Sequence, residues 1–199
     1  DPLPLRSECS GRALPGIDIE VRDPETGETL AHGEPGEIVA RGRGVFSGYY
    51  NDPKKTEAAF WEGGWFRTGD LGVLDAEGRV TFRGRLKDML KVGGENVAAV
   101  EIEGYLALHP AVKLAQVVGV PDEKYGEVPV AFIELLPGAA ATETEIIDFC
   151  RGEVASFKIP RHVRFVENWP MGATKILKSA LRELILAEMA PPEAGNAFL

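Results

Sequence analysis

The chain has 199 residues, with 22 Lys and Arg against 31 Asp and Glu, a net charge of -9. That acidic balance argues against general nucleic-acid binding, which needs a basic face, and no apolar run approaches the roughly 20 residues of a membrane helix. Hydrophobic residues make up 44% of the sequence, enough for real cores in one large or two small domains. The two cysteines, Cys9 and Cys150, match no metal or redox spacing, so a reducing cytoplasmic location is expected. The opening Asp1-Pro2-Leu3-Pro4 shows neither an initiator Met nor a signal-peptide pattern, which predicts that the chain is cut from something longer.

The first half is rich in Gly and Pro and reads as short strands and turns. Period-two alternation predicts strands at 17–21 and 37–41, and residues 52–60 read as a short surface helix. Residues 71–75 and 79–83 flank Ala76-Glu77-Gly78 as a hairpin. Residues 84–97 then mix cations and apolar residues around Gly93-Gly94, just ahead of a helix predicted over 98–109. Apolar strands follow at 113–120 and 128–136, joined by a polar loop at 121–127. Thr142-Glu143-Thr144-Glu145 has capping-box form and opens a helix to about residue 155. A strand at 162–166, a closing helix over 179–189 and a disordered tail over 191–199 complete the reading.

The local chemistry centres on Arg79, Arg83, Arg85, Lys87 and Lys91, a positive cluster on an acidic molecule. Such a cluster asks for an anion, and a Gly-Gly pair lets a ligand approach the backbone. Asp70, beside Gly69, suits a carboxylate that accepts two ribose hydroxyls, although taken alone it reads rather as a turn cap. Arg85 could meet the same sugar or a phosphate, or simply be a solvated charge. Lys175 lies in a small-residue loop from which a compact cation could reach a developing oxyanion; a plain surface Lys is the bland alternative. Phe157, Lys158 and Arg161 combine an aromatic face with two cations, suited to an adenine and a phosphate, or to an ordinary helix end. His32, His109 and His162 form no ligand or triad spacing, and no metal ligands are assigned.

Taken in order, Gly36-Glu37-Ile38, Gly48-Tyr49-Tyr50-Asn51, Gly64-Trp65-Phe66-Arg67-Thr68-Gly69-Asp70, Gly84-Arg85 through Glu103, and the Lys175 loop resemble one family. It is the C-terminal portion of the adenylate-forming superfamily of acyl-CoA synthetases, adenylation domains and luciferases, and the resemblance covers residues 10–187. The resemblance implies that a carboxylate is activated with ATP to an acyl-adenylate and then passed to a thiol. Asp70 would hold the AMP ribose, assisted by Arg85, and Lys87 would be the hinge of a rotating C-terminal domain. Gly93 and Gly94 would line the pantetheine tunnel, Lys175 would contact carboxylate and phosphate oxygens, and Phe157 and Arg161 would meet the CoA nucleotide. Lys178 competes with Lys175, because the loop is one residue shorter than usual after Pro170.

The expected architecture is α+β. Residues 1–86 would form a β-rich, barrel-like end of a larger adenylation domain, and 87–190 a mobile domain with a small sheet flanked by helices. The family's phosphate-gripping loop and adenine-stacking segment do not occur in these residues. The chain alone is therefore expected to be inactive, with Mg2+ and most ATP contacts supplied elsewhere and self-association through the first half expected. The leading reading is part of an ATP-dependent acyl-CoA ligase acting on a fatty or related carboxylic acid. The alternatives are part of an adenylation domain that loads a carrier protein, or a non-catalytic nucleotide- or partner-binding module.

Overall fold

The structure is a computed structural model describing residues 9–189. The tail expected to be disordered, 191–199, lies outside the described residues. The chain divides into two compact units with the boundary between Asp88 and Met89.

The first unit is a single antiparallel sheet built on β1 (Gly11–Arg12), β2 (Ile17–Arg22), β3 (Gly36–Gly42), β4 (Phe60–Trp61), β5 (Trp65–Leu74) and β6 (Arg79–Arg85). Its order is β1-β6-β5-β3-β2, with β4 also pairing β5. The predicted β5–β6 hairpin closes through Asp75, whose carboxylate accepts the backbone N–H groups of Glu77 and Arg79. The short helix α1 (Pro53–Ala58) starts where expected: Pro53 needs no N–H partner there, and the Asp52 side chain accepts from Lys55 N.

The second unit contains β7 (Met89–Val92), β8 (Glu95–Ala98), α2 (Ala99–Leu106), β9 (Val112–Asp122), β10 (Gly126–Leu135), α3 (Glu143–Cys150), β11 (His162–Phe165) and α4 (Lys178–Met189). β9 runs antiparallel along the whole of β10, β11 pairs β10 in parallel, and β7 joins β10 at Gly126. Both faces of this sheet are apolar because both are covered. Val117, Ala131 and Ile133 face a core with Val97, Ile102, Leu106, Ile146 and Cys150. Their strand neighbours Val118, Val130 and Phe132 face a second core with Leu181 and Ile185 of α4. Strand alternation therefore divides one sheet between two cores. The mixed α+β architecture follows: a curled sheet, then a small sheet flanked by helices.

Two helix ends and one hairpin stand out against the sequence reading. The capping box at Thr142 and Glu145 is present, but α3 ends at Cys150, because Arg151 turns extended and Gly152 takes φ +82°. Helix α2 stops at Leu106, where Leu108 N and His109 N make tighter bonds to Tyr105 O and Leu106 O. The β7–β8 hairpin has no counterpart in that reading. Gly93 and Gly94, at φ +62° and +90°, form the two-residue turn that matches strand twist, and Leu90 and Val92 alternate inward.

Candidate functional site

Asp70 and Arg85 are direct partners on adjacent strands, β5 and β6. Arg85 Nε lies 2.8 Å from Asp70 Oδ1, yet that oxygen is buried and accepts no aligned hydrogen bond. The contact is thus an ion pair without a directed N–H, leaving Oδ1 with unused acceptor capacity. The aim of Asp70 comes from a β-bulge. Across β3 and β5, Glu37 faces Leu71 and Val39 faces Arg67, so Ile38 alone opposes Thr68, Gly69 and Asp70. Gly69 sits at φ +70° with open space around it, which suits glycine on backbone grounds.

The positive cluster is less concentrated than its sequence spacing suggests. Arg79 is committed to Asp75 at 2.9 Å and to Glu77 at 3.2 Å, while Arg85 pairs with Asp70. Arg83, Lys87 and Lys91 are exposed and have no ion pair among the described residues, and Lys91 belongs to the second unit. Lys87 lies in a single 3-10 turn, Leu86–Asp88, the last residues before the unit boundary.

In the second unit, three candidate residues converge through Tyr125. Gly93 N donates to Tyr125 O at 2.7 Å, and the Arg161 guanidinium lies 5.0 Å from the centre of the Tyr125 ring. Tyr125, Phe157 and Arg161 line one pocket of about 370 Å³, together with Val92, Arg151 and Ile159. The Lys124 ammonium, with Arg161 adding to it, holds the Tyr125 hydroxyl below the usual phenol range. The cations of this pocket are Arg161 and Arg151, the latter already paired with Asp148 at 2.8 Å. Lys158, grouped with them in sequence, is paired with Glu101 at 2.5 Å and lends no free charge.

The two loop lysines separate cleanly. Lys175 is exposed and makes no side-chain hydrogen bond or ion pair among the described residues. Its loop is a tight hairpin rather than a slack tether: Met171 bridges Ile176, Gly172 N donates to Lys175 O, and Leu177 N donates to Pro170 O. Lys178 opens α4 and donates to Glu103 Oε1 at 2.6 Å, in a pair whose side chains are 20% and 13% exposed. The same oxygen accepts Val117 N at 2.8 Å. Lys178 is a strut between α4 and α2, whereas Lys175 has no such partner among the described residues.

Residues 101–175 match the family described as AMP-binding enzyme C-terminal domain, and residues 2–50 match AMP-binding enzyme. The chain belongs to the adenylate-forming, AMP-binding enzymes. It is 41% identical over 184 residues to the mitochondrial medium-chain acyl-CoA ligase of Bos taurus, covering 92% of this chain and 30% of that protein. Among solved structures it is similar to ATP-bound MatB from Rhodopseudomonas palustris, at 39% identity and TM-score 0.82, covering 89% of this chain and 35% of MatB. It is also similar to o-succinylbenzoate CoA synthetase (MenE) from Bacillus subtilis in complex with its acyl-adenylate, OSB-AMP. That match has 34% identity and TM-score 0.81, covering 89% of this chain and 36% of that one. The chain thus spans about a third of the length of the relatives it matches.

Within this adenylate-forming framework, sequence reasoning passed over Tyr125, Arg151 and the individual role of Glu37. Tyr125 fell in a segment read as a polar loop, and only its fold contacts with Gly93 and Arg161 reveal it. Glu37 was visible within Gly36-Glu37-Ile38, but nothing in the sequence states that it is buried. Among the described residues no helix is long and apolar enough to cross a membrane, and no group of three or more His, Cys, Asp or Glu could hold a metal ion. The Mg2+ that the resemblance implies therefore finds no donor set in these residues.

Proposed function

We propose that this chain supplies the ribose-holding strand pair, the hinge and the mobile domain of an ATP-dependent acyl-CoA ligase. The Asp70 carboxylate, whose side chain is 27% exposed, accepts the ribose hydroxyls of the nucleotide on its open side, while Oδ1 stays buried against Arg85. Arg85 holds the carboxylate in place by charge alone. Lys175, with an unpaired ammonium on a braced hairpin, stabilises charge on carboxylate and phosphate oxygens as the acyl-adenylate forms. Rotation at Lys87 then replaces the Lys175 loop with the Gly93-Gly94 turn, whose lack of side chains leaves room for the pantetheine arm. The domain division implied is 1–86 and 87–190. The phosphate grip and the acyl pocket come from outside these residues, so the chain by itself does not adenylate acids.

The observation that carries the choice of CoA over a carrier protein is the pocket shared by Phe157, Arg161, Arg151 and Tyr125. Its aromatic and apolar walls suit a purine, and Arg161, which has no ion pair among the described residues, suits a phosphate. A carrier protein presents no adenine and no 3′-phosphate to such a pocket. Titration calorimetry of the 199-residue chain with CoA, 3′-dephospho-CoA and pantetheine tests this. CoA should bind most tightly, dephospho-CoA about tenfold more weakly for the lost charge-assisted bonds, and pantetheine not measurably. Equal responses to all three would favour the carrier-protein reading.

A further inference from the structure

Glu37 is 1% exposed and is the buried charged side chain among the described residues, yet no chemical step calls on it. Its two oxygens have separate tasks. Oε2 accepts Arg67 Nε at 3.0 Å, and Oε1 accepts the backbone N–H of Gly69 at 3.1 Å. Arg67 is held in turn by Pro24 O at 3.1 Å and stacks over Trp61 at 4.2 Å. Beside it, Thr68 Oγ1 donates to Ile38 O at 2.6 Å and accepts Asp70 N at 3.0 Å. The bulge between β3 and β5 takes Ile38 O, Gly69 N and Asp70 N out of the regular ladder, and these two side chains satisfy all three. A bulge lacking such partners would leave polar backbone groups unpaired and free to shift.

We infer that Glu37 and Thr68 are positioning residues for nucleotide recognition: they set the bulge that points the Asp70 carboxylate at the sugar. The inference rests on the reading of Asp70 as the ribose ligand. Glu37 anchors the left-handed Gly69 immediately before Asp70, and Thr68 ties the Asp70 amide to the opposite strand. Neither touches the nucleotide. Their loss therefore acts on how well one carboxylate meets the ribose hydroxyls, not on the phosphate chemistry.

The readout is discrimination between ATP and 2′-deoxy-ATP, measured as a ratio of kcat/KM for adenylation in the full-length parent enzyme. A ratio taken on one enzyme preparation cancels differences in folded fraction, so a merely structural role leaves it unchanged. Glu37→Gln has one acceptor oxygen for two donors, and Thr68→Val keeps the shape while losing the hydroxyl. Each should lower the ratio about tenfold, the scale of one misdirected buried hydrogen bond. Asp70→Asn should lower it further, and Thr68→Ser should restore it. If Asp70→Asn lowers the ratio while Glu37→Gln and Thr68→Val leave it intact, the positioning role is refuted and the ribose reading stands. If Asp70→Asn leaves the ratio intact, the ribose reading fails and this inference with it. Should Glu37→Gln not fold, the contrast between Thr68→Val and Thr68→Ser decides by itself.

Discussion

Lys178→Met is the most telling substitution for separating structure from chemistry in the last loop. It keeps the apolar stem and deletes the ammonium that sits 2.6 Å from Glu103 Oε1. The side chains are 20% and 13% exposed, so the Glu103 carboxylate would be left largely buried with Val117 N as its remaining partner. Breaking a fully buried pair costs about 3–5 kcal/mol. Partial exposure and removal of a cation from a helix N-terminus reduce this to about 2 kcal/mol. For a unit of this size that is a fall of about 8–16 °C in Tm. Lys175→Met deletes an exposed ammonium with no partner and should change stability by less than about 0.5 kcal/mol. Urea denaturation of the 199-residue chain, followed by circular dichroism, compares the two directly. A Lys178→Met chain as stable as wild type, or a Lys175→Met chain equally weakened, would refute this division of labour.

Gly94→Val tests the turn between β7 and β8. No neighbouring atom lies within 4 Å of the added Cβ, so the cost is backbone strain at φ +90°, about 1–2 kcal/mol by denaturation. In the parent enzyme the same change should slow thioester formation and spare adenylation. Burial pushes the Cys150 thiol up to about 11, from an ordinary 9.0. Because the folded state favours the protonated thiol, its contribution to stability is complete below pH 9 and is lost as pH rises toward 11. Alkylation of Cys150 at pH 8.5 should proceed only as fast as the chain unfolds; faster labelling of the native chain would contradict its burial.

Much of the fold was legible because local signals and tertiary demands agree. The period-two runs of β2 and β3 and the apolar run of β9 are strands, Pro53 after Asp52 starts a helix, and Thr142 with Glu145 forms a capping box. The misses have physical causes. The β7–β8 hairpin is written in only four residues per strand, with charges at Lys91 and Glu95 masking the inward pair Leu90 and Val92. The pairing of Asp70 with Arg85 could be suspected from spacing, but the bulge that aims Asp70 exists only once β3 lies beside β5. Charge was the least readable property. Arg79, Lys158 and Lys178 look available in sequence and are each committed to a carboxylate in the fold.

The most direct test of the whole account separates the two half-reactions in the full-length parent enzyme. Carboxylate-dependent ATP–pyrophosphate exchange reports adenylation, and CoA thioester formation from supplied acyl-adenylate reports transfer. Lys175→Ala should lower exchange by at least about 100-fold, the scale of losing one oxyanion-stabilising group, while transfer stays within about threefold of wild type. Equal loss of both half-reactions, or loss of transfer alone, would contradict the assignment of Lys175 and Gly93-Gly94 to different steps.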